Sequence, residues 1–528
     1  MNIDGRIPDG SVDMVFTSPP YWGLRDYGTE PQVWDGDENC EHEWGNSIKP
    51  KGKSNWNTFE KYRGDGGKGK RNIGMDNISQ GSFCSKCNAW KGSLGLEPTF
   101  NLYIKHLCDI FDIVHRKLKP YGSCWVNLGD TYWGGGQGGS TCGSKEILST
   151  EGFGHVAKGN NYPDKSLCCI PDHFKIEMIN RGWILRNTII WHKRNCMPSS
   201  ASDRFTVDFE YLFFFVKSNN PVYWTHRDGK ITGNKPKPDY RWVDMVNNIE
   251  YKEKPPQYNK RAVECPDCRG IGVLHTSFGC GTCGGGGKIR QWNRVNLWQS
   301  HDYYFEQQFD EYTLPLDRWG GCYTNGNVPN SKYLKSDIDS AQLTKRARNF
   351  RPNEQGRNKR CVWTINTQPY KDAHFAVFPK ELVETPLKAG CPEFVCRKCG
   401  LPREKIYKQD TSFHSGSGKS GNEPKGKYEG KEQSVSGDYD IRMGPKIDRE
   451  LIGYTDCGCK AGFKPGVIWD PFVGSGTVME VAQENNRDSI GCDLNKKYLP
   501  YTLKRLNPYI NQKSVYNKPL ADLEIIEI

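Results

Sequence analysis

Long apolar runs are missing from this sequence. No stretch approaches the roughly 20 consecutive apolar residues of a membrane-crossing helix. The opening Met1-Asn2-Ile3-Asp4-Gly5-Arg6 has none of the apolar character of a secretory signal. A membrane protein or an exported one is therefore not expected. Apolar residues are scarce throughout, at 36% of 528, with a mean hydropathy of -0.75. A chain of this length exceeds the usual single domain, so the apolar residues must be concentrated in one core, with long polar stretches elsewhere. Acidic residues are in the minority, 62 against 73 Lys and Arg, for a net charge of +11. That balance suits a polyanionic partner, because each phosphate contact releases condensed counterions. Cysteine, by contrast, is plentiful at 21 residues. In a reducing compartment such cysteines are read as zinc ligands before disulfides.

Ordered segments come in four blocks. Ser11-Val12-Asp13-Met14-Val15-Phe16 reads as a buried strand that runs straight into a Ser-Pro-Pro turn. In residues 96–217, Phe100, Ile104, Leu107, Phe111, Val114 and Leu118 recur at helical spacing. Pro98-Thr99 starts that helix and Lys119-Pro120-Tyr121-Gly122 stops it. Strands are expected at 123–128, 184–191 and 211–216, with a helix near 171–181. Residues 220–365 are rich in Arg, Asn, Gly and Trp without long periodicity. From about 374 the pattern returns: strand 467–469, helix 477–484, strand 489–492 and a helix from Lys496. Strands alternating with helices argue for an α/β sheet with crossovers. Residues 45–82 and 409–447 read as polar insertions, and 134–139 is a glycine run suited to a loop over a site or a plain linker.

Two motifs carry chemistry. Asp470-Pro471-Phe472-Val473-Gly474-Ser475-Gly476-Thr477 follows an expected strand and opens a helix, where glycines let backbone approach a ligand and free N–H groups face it. Asp493, after the next strand, is placed to accept hydrogen bonds from ribose hydroxyls. The second motif is Thr17-Ser18-Pro19-Pro20-Tyr21. An exocyclic base amine is a poor nucleophile because its lone pair is delocalised into the ring. A rigid turn that accepts both amino hydrogens, on the Ser18 hydroxyl and a backbone carbonyl, draws the nitrogen toward tetrahedral geometry and helps most in the transition state. Pro19 and Pro20 stiffen the turn, and Tyr21 offers a face for a flipped-out base. Alone, either motif also fits a loop that merely ends a strand.

In this order the two motifs resemble the β group of S-adenosylmethionine-dependent DNA amino-methyltransferases, in which the catalytic motif precedes the cofactor motif. His374-Phe375-Ala376-Val377-Phe378-Pro379-Lys380-Glu381-Leu382 resembles the segment that packs around S-adenosylmethionine in that family. Residues 122–130 and Trp191-His192-Lys193-Arg194 resemble the sheet segments after the catalytic turn. The resemblance implies a seven-stranded, mostly parallel Rossmann-like sheet. Cofactor residues would be Asp470, Pro471, Phe472, Gly474, Ser475, Gly476, Thr477 and Asp493, with Phe375, Phe378 and Pro379. Catalytic residues would be Ser18, Pro19, Pro20 and Tyr21. Target recognition in double-stranded DNA would fall in 220–365. Within the family, Ser before Pro-Pro leans to N4 of cytosine and Asp to N6 of adenine. A cytoplasmic location in a bacterial or phage-infected cell follows, and a cognate restriction endonuclease is a compatible partner. The chain departs from the family upstream: only residues 1–10 precede the first strand, where members carry a Gly-Asp and a short helix. Asp4 is the candidate stand-in.

Three cysteine clusters have structural-zinc character, up to three sites. They are Cys40 and His42 with Cys84 and Cys87, Cys265 and Cys268 with Cys280 and Cys283, and Cys396 and Cys399 with Cys457 and Cys459. The middle set resembles the zinc repeats of DnaJ-type chaperones. Such sites let polar insertions fold without an apolar core. The expected organisation is catalytic-motif core (1–36), zinc insertion (37–95), core (96–219), recognition region (220–365), cofactor-binding core (366–395 and 460–528) and zinc insertion (396–459). A basic run from Lys345 to Arg360 could grip phosphates or be a solvated face. The rival function is a catalytically weakened, zinc-stabilised DNA-binding protein; a chaperone-like module fits the α/β chain poorly.

Overall fold

The computed structural model describes all residues except 1–4, 25, 47–80, 134–161, 164, 200, 245–248, 254–261, 265–272, 275–277, 280–287, 291, 311–356, 369–376, 414–444 and 511–528. The middle cysteine set, the glycine run, Phe375, Asp4 and residues 345–351 of the basic run lie outside the described residues.

Seven strands form the central sheet: β1 (Val12–Thr17), β2 (Leu118–Leu128), β3 (Ile184–His192), β4 (Phe209–Val216), β5 (Val362–Thr364), β6 (Val467–Asp470) and β7 (Asp488–Gly491). Their spatial order is β5-β3-β4-β2-β1-β6-β7. Every pairing is parallel except the two made by β4. The protein is thus α/β with the expected mostly parallel sheet. Both faces are covered, as parallel strands require. Successive residues face opposite layers: Cys124, Val126, Phe213 and Phe215 join α1 (Phe100–Lys117) and α2 (Ile170–Asn180) in one core. Met14, Phe16, Trp125 and Phe214 join α3 (Lys380–Gly390) and α4 (Thr477–Glu484) in the other.

Local chemistry explains most element ends. Thr99 Oγ1 caps α1 by accepting from Leu102 N at 3.3 Å, and His115, Arg116 and Lys117 fill its last turn, where cations suit the helix dipole. Residues 119–122 were expected to separate helix from strand, but β2 starts at once, at Leu118. Leu118 pairs with Val12, and the register slips between Val12 and Met14. A bulge absorbs the turn residues into the strand. Similarly, Lys496–Tyr498 forms one 3-10 turn before α5 (Leu499–Ile510). Edge strand β5 and helix α3 carried no signal that the sequence reading picked up. Strand β5 comes from the end of the stretch assigned to recognition.

Outside the sheet lie small antiparallel pieces. Gln32–Trp34, Trp90–Gly92 and Ser82–Phe83 make one sheet. Lys405–Phe413 and Pro445–Tyr454 make a long two-stranded arm. No helix among the described residues is long and apolar enough to cross a membrane.

Candidate active site

Strands β1 and β6 are parallel neighbours, Met14 opposite Ile468 and Val15 opposite Trp469. The two motifs separated by some 450 residues therefore leave the same edge of the sheet side by side, at the carboxyl ends where α/β sheets bind ligands. A buried hydrogen bond joins them: Thr17 Oγ1 donates to Asp470 Oδ1 at 2.6 Å. Asp470 Oδ1 also accepts from Phe472 N at 3.0 Å, while its Oδ2 is buried without a partner. Burial raises the Asp470 carboxyl to about 7 against the pull of these donors.

The glycine loop is built for close approach. Gly474 and Gly476 sit at φ +50° and +81°, where a side chain is strained, and a Cβ on Gly476 would lie 2.9 Å from Thr502 Cγ2. Gly474 instead faces open space, with only Phe472 O within 4 Å of an added Cβ. Gly474 N and Asn495 N donate to the Asp493 carboxylate at 2.9 and 2.8 Å, so Asp493 is anchored to the loop it faces. Burial raises its pKa. Pro471, Ser475, Gly476, Thr477 and Pro379 are buried, and Phe378 packs on Phe16 with centroids 5.5 Å apart. An unpartnered buried acceptor, an anchored acid and an open glycine suit a nucleoside with hydroxyl and amino donors.

The Pro-Pro turn is held from several sides. Tyr103 Oη donates to Pro20 O at 2.8 Å, Gly23 N to Gly95 O at 2.9 Å, and the buried Trp22 Nε1 to Glu97 O at 2.9 Å. A directed chain runs through the side chains: Ser18 Oγ donates to Tyr21 Oη at 3.4 Å, and Tyr21 Oη donates to Glu210 Oε2 at 2.9 Å. Glu210 is paired in turn with Lys193. Asn127 Oδ1 lies 3.2 Å from Tyr21 Oη. The ring leaves no room for a side chain at Gly129, where a Cβ would fall 2.7 Å from Tyr21 Cε2. Burial and the Glu210 charge push the Tyr21 phenol well above its ordinary value, so it stays a neutral donor.

Sequence reasoning missed Glu210, Lys193, Asn127 and Tyr103 as neighbours of Tyr21. Antiparallel β4 alone brings Glu210 there, placing it beside Trp191, and no motif spacing announces this. It also missed a buried charged cluster behind the turn. His106 Nδ1 lies 3.1 Å from Glu97 Oε1 and Nε2 3.2 Å from Asp35 Oδ2. The ring is stacked with Trp34 and Trp90, at 4.6 and 5.4 Å. Burial opposes a charge on His106, yet the two acids outweigh it and raise its pKa. The His106 hydrogen bond lowers Asp35 to about 2.

Two of the three cysteine sets come together. Cys40, His42, Cys84 and Cys87 have all ligand atoms within 4.8 Å of one another, as do Cys396, Cys399, Cys457 and Cys459. Cys40 Sγ is 4.0 Å from Cys84 Sγ, and Cys87 Sγ is 3.3 Å from His42 Nδ1. Tetrahedral zinc with bonds of about 2.3 Å to sulfur needs ligands roughly 3.5–3.8 Å apart. Desolvation raises the Cys84 thiol, but N–H groups of Cys87 and Lys86 prevail and lower it to about 6. Those of Cys399 and Lys398 likewise bring Cys396 to about 7. Each set thus holds one sulfur drawn toward the thiolate that metal requires, while burial and the neighbouring sulfurs push Cys40 and Cys399 up to about 12. Cys124 and Cys391 are buried in the sheet's cores, away from both sets.

A family model described as DNA methylase matches residues 12–394 and 456–504. The break between them carries Cys396, Cys399 and the two-stranded arm. The type II methyltransferase M.SmaI of Serratia marcescens is 29% identical over 280 residues, covering 52% of this chain and 74% of that one. M.SfiI of Streptomyces fimbriatus, also a type II methyltransferase, is 23% identical over 419 residues, covering 73% and 77%. Among solved structures, the cytosine-N4-specific PvuII DNA methyltransferase aligns at 12% identity with a TM-score of 0.32, over 95% of this chain and 82% of that one.

Proposed function

The chain belongs to the N6/N4 DNA methylase family, and on that premise we propose that it methylates the exocyclic amino group of a flipped-out base in double-stranded DNA, N4 of cytosine in preference to N6 of adenine. The observation that carries the reading is the directed chain from Ser18 through Tyr21 to Glu210. With the Tyr21 proton directed to Glu210 at 2.9 Å and the Ser18 hydroxyl 3.4 Å from Tyr21 Oη, the lone pairs of Ser18 Oγ are left to accept an amino hydrogen. Lys193 holds the Glu210 carboxylate in place. Ser18 Oγ and a backbone carbonyl of the turn then hold both amino hydrogens, and the Tyr21 ring stacks on the base.

S-adenosylmethionine would be held by the loop from Asp470 to Thr477, by Asp493 and by Phe378 and Pro379, and it supplies the methyl group. Asp493 accepts from the ribose, and Asp470, whose Oδ2 is unused, accepts a further donor. The Thr17–Asp470 bond sets the base-binding turn against the cofactor loop, so position rather than acid–base chemistry provides much of the rate. Serine before Pro-Pro supports cytosine. The net charge of +11 supports duplex DNA, and the relatives' type II character makes a restriction endonuclease a compatible partner. The two assembled cysteine sets would hold structural zinc, with all four positions taken by protein and none open for catalysis.

Expression in a methylation-free host, followed by single-molecule sequencing of the host DNA, tests this directly. N4-methylcytosine in one sequence context is expected. N6-methyladenine would reverse the base preference, and an unmarked genome would defeat the enzymatic reading. Ser18→Ala and Tyr21→Ala are each expected to slow transfer by about 100-fold or more, the size of losing a key transition-state contact; full methylation by either would displace the site.

A further inference from the structure

Between β3 and β4 the chain makes a 16-residue excursion, residues 193–208, from the same sheet edge as the catalytic turn. Its two ends are closed by Lys193 N donating to Asp208 O at 2.7 Å. Lys193 pairs with Glu210, and Glu210 holds Tyr21, so the loop is rooted one side chain from the base-binding ring. It is braced along its length. Asn195 Nδ2 donates to Thr367 O at 3.0 Å and Asn195 Oδ1 accepts from Thr367 N at 2.9 Å. Ser199 N donates to Thr206 Oγ1 at 3.3 Å, and Lys165 pairs with Asp203 at 2.8 Å.

On this braced loop the apolar side chains point outward. Phe205 is 94% exposed and Met197 74% exposed, the two most exposed large hydrophobic side chains among the described residues. Leaving a Phe in water forgoes the stabilisation that its burial would bring. The same loop carries two cations: the Arg204 guanidinium lies over the Tyr132 ring at 3.9 Å, and Arg194 is exposed at the loop's start. An exposed apolar blade on a loop that also carries Arg194 and Arg204 matches a stack of bases between phosphates; an apolar protein groove would not call for the cations.

We propose that Phe205 enters the duplex at the place the target base vacates. The inference rests on the reading that a base is flipped into the site at Ser18 and Tyr21. Rotation of a base out of the helix costs a few kcal/mol of lost stacking, and apolar side chains wedged between base steps offset such losses in other DNA-bending proteins. The loop's root at Lys193 and Glu210 ties the loop that carries Phe205 to the ring of Tyr21, so filling the gap and seating the base are coupled.

The test uses the whole chain and a duplex carrying the recognition sequence read from methylated host DNA, with a second duplex mispaired at the target base. Transfer rates are compared as the ratio of paired to mispaired substrate, because a mispaired base leaves the stack at little cost. Phe205→Ala is expected to lower that ratio at least about tenfold, the gap being unfilled only where flipping is costly. Phe205→Trp, which restores a flat apolar blade, is expected to bring the ratio back. An unchanged ratio in Phe205→Ala overturns the inference, whether both rates fall together or neither falls, while the methyl-transfer reading stands. A wild-type chain active on neither duplex overturns that reading and the inference with it.

Discussion

Strand β1 buries all six of its residues between two helical layers. The three strands beside Cys40, His42, Cys84 and Cys87 are only two or three residues long, and Gln32–Trp34 has no buried residue at all. The same contrast recurs at the other end of the chain, where β6 runs Val-Ile-Trp-Asp into the core while Val395–Cys396 pairs with Phe463–Lys464 for two residues beside the second cysteine set. Where apolar residues are dense, desolvation holds the backbone; where they are sparse, short sheets lie beside four converging Cys and His side chains. The join between the two regimes is the charged cluster of Asp35, His106 and Glu97. It is sealed by Trp34 and Trp90 from the small sheet and lies behind the turn that Trp22 and Gly23 attach to Glu97 and Gly95.

The largest expected effect breaks the weaker side alone. Cys84→Ser and Cys396→Ser should each release about one equivalent of zinc relative to the unsubstituted chain, since loss of a ligand forfeits much of the roughly 10–16 kcal/mol that structural zinc contributes to folding. Metal analysis and a dye assay read the loss, and far-ultraviolet dichroism should show the helices of the central layer retained. Undiminished zinc in both variants would dismiss the metal sites, and collapse of the helical signal would dismiss the independence of the core.

A cut at the join should be smaller and should reach both sides. His106→Ala leaves Glu97 buried without its cation, at a cost of about 3–5 kcal/mol at neutral pH, measurable by urea unfolding. The sign follows from the shifts. His106 is raised, so its contribution is present below its unfolded pKa and fades as pH rises through its folded one. Asp35 is lowered to about 2, so its contribution is present above its unfolded pKa and is lost on acidification toward 2. The variant's deficit should therefore be largest in mildly acidic solution and shrink on both sides, as pH rises through the folded His106 value and as Asp35 takes up its proton toward 2. A pH-independent deficit would mean that packing alone is lost.

The third effect belongs to the core side and is read as a slope with pH rather than as a loss. Asp470 is raised from 3.8 to about 7, so the folded chain binds this proton more tightly than the unfolded one. Stability of the cofactor-free protein should fall as pH rises from about 4 to 7, by up to roughly 1.4 kcal/mol per unit from this group. Asp470→Asn should flatten that slope in thermal melts, leaving the weaker contribution of Asp493. An unaltered slope would place the pH dependence elsewhere.

What could be read before any coordinates were those features whose signal is local. Helix α1 shows in the recurrence of Phe100, Ile104, Leu107, Phe111 and Val114, and the cofactor loop shows in its glycines and flanking strands. Both cysteine sets show in the close pairing of their halves, although 42 residues separate His42 from Cys84 and 58 separate Cys399 from Cys457 in numbering. Helix α3 was overlooked because Pro386 sits inside it, and β5 because a three-residue edge strand has no periodicity to detect.

Sequence alone determined the α/β class, the two loops that could bind a nucleoside and a base, and the ligand types of the metal sets, because each is written in neighbouring residues with a fixed backbone geometry. Tertiary structure alone decided that Thr17 meets Asp470, that Glu210 and Lys193 stand behind Tyr21, that His106 lies between two acids and two indoles, and that Phe205 is left uncovered on the loop that starts at Lys193. These depend on strand order and on one reversed strand. Such pairings form over gaps of tens to hundreds of residues, set by which faces can be buried together, and no local pattern records the outcome.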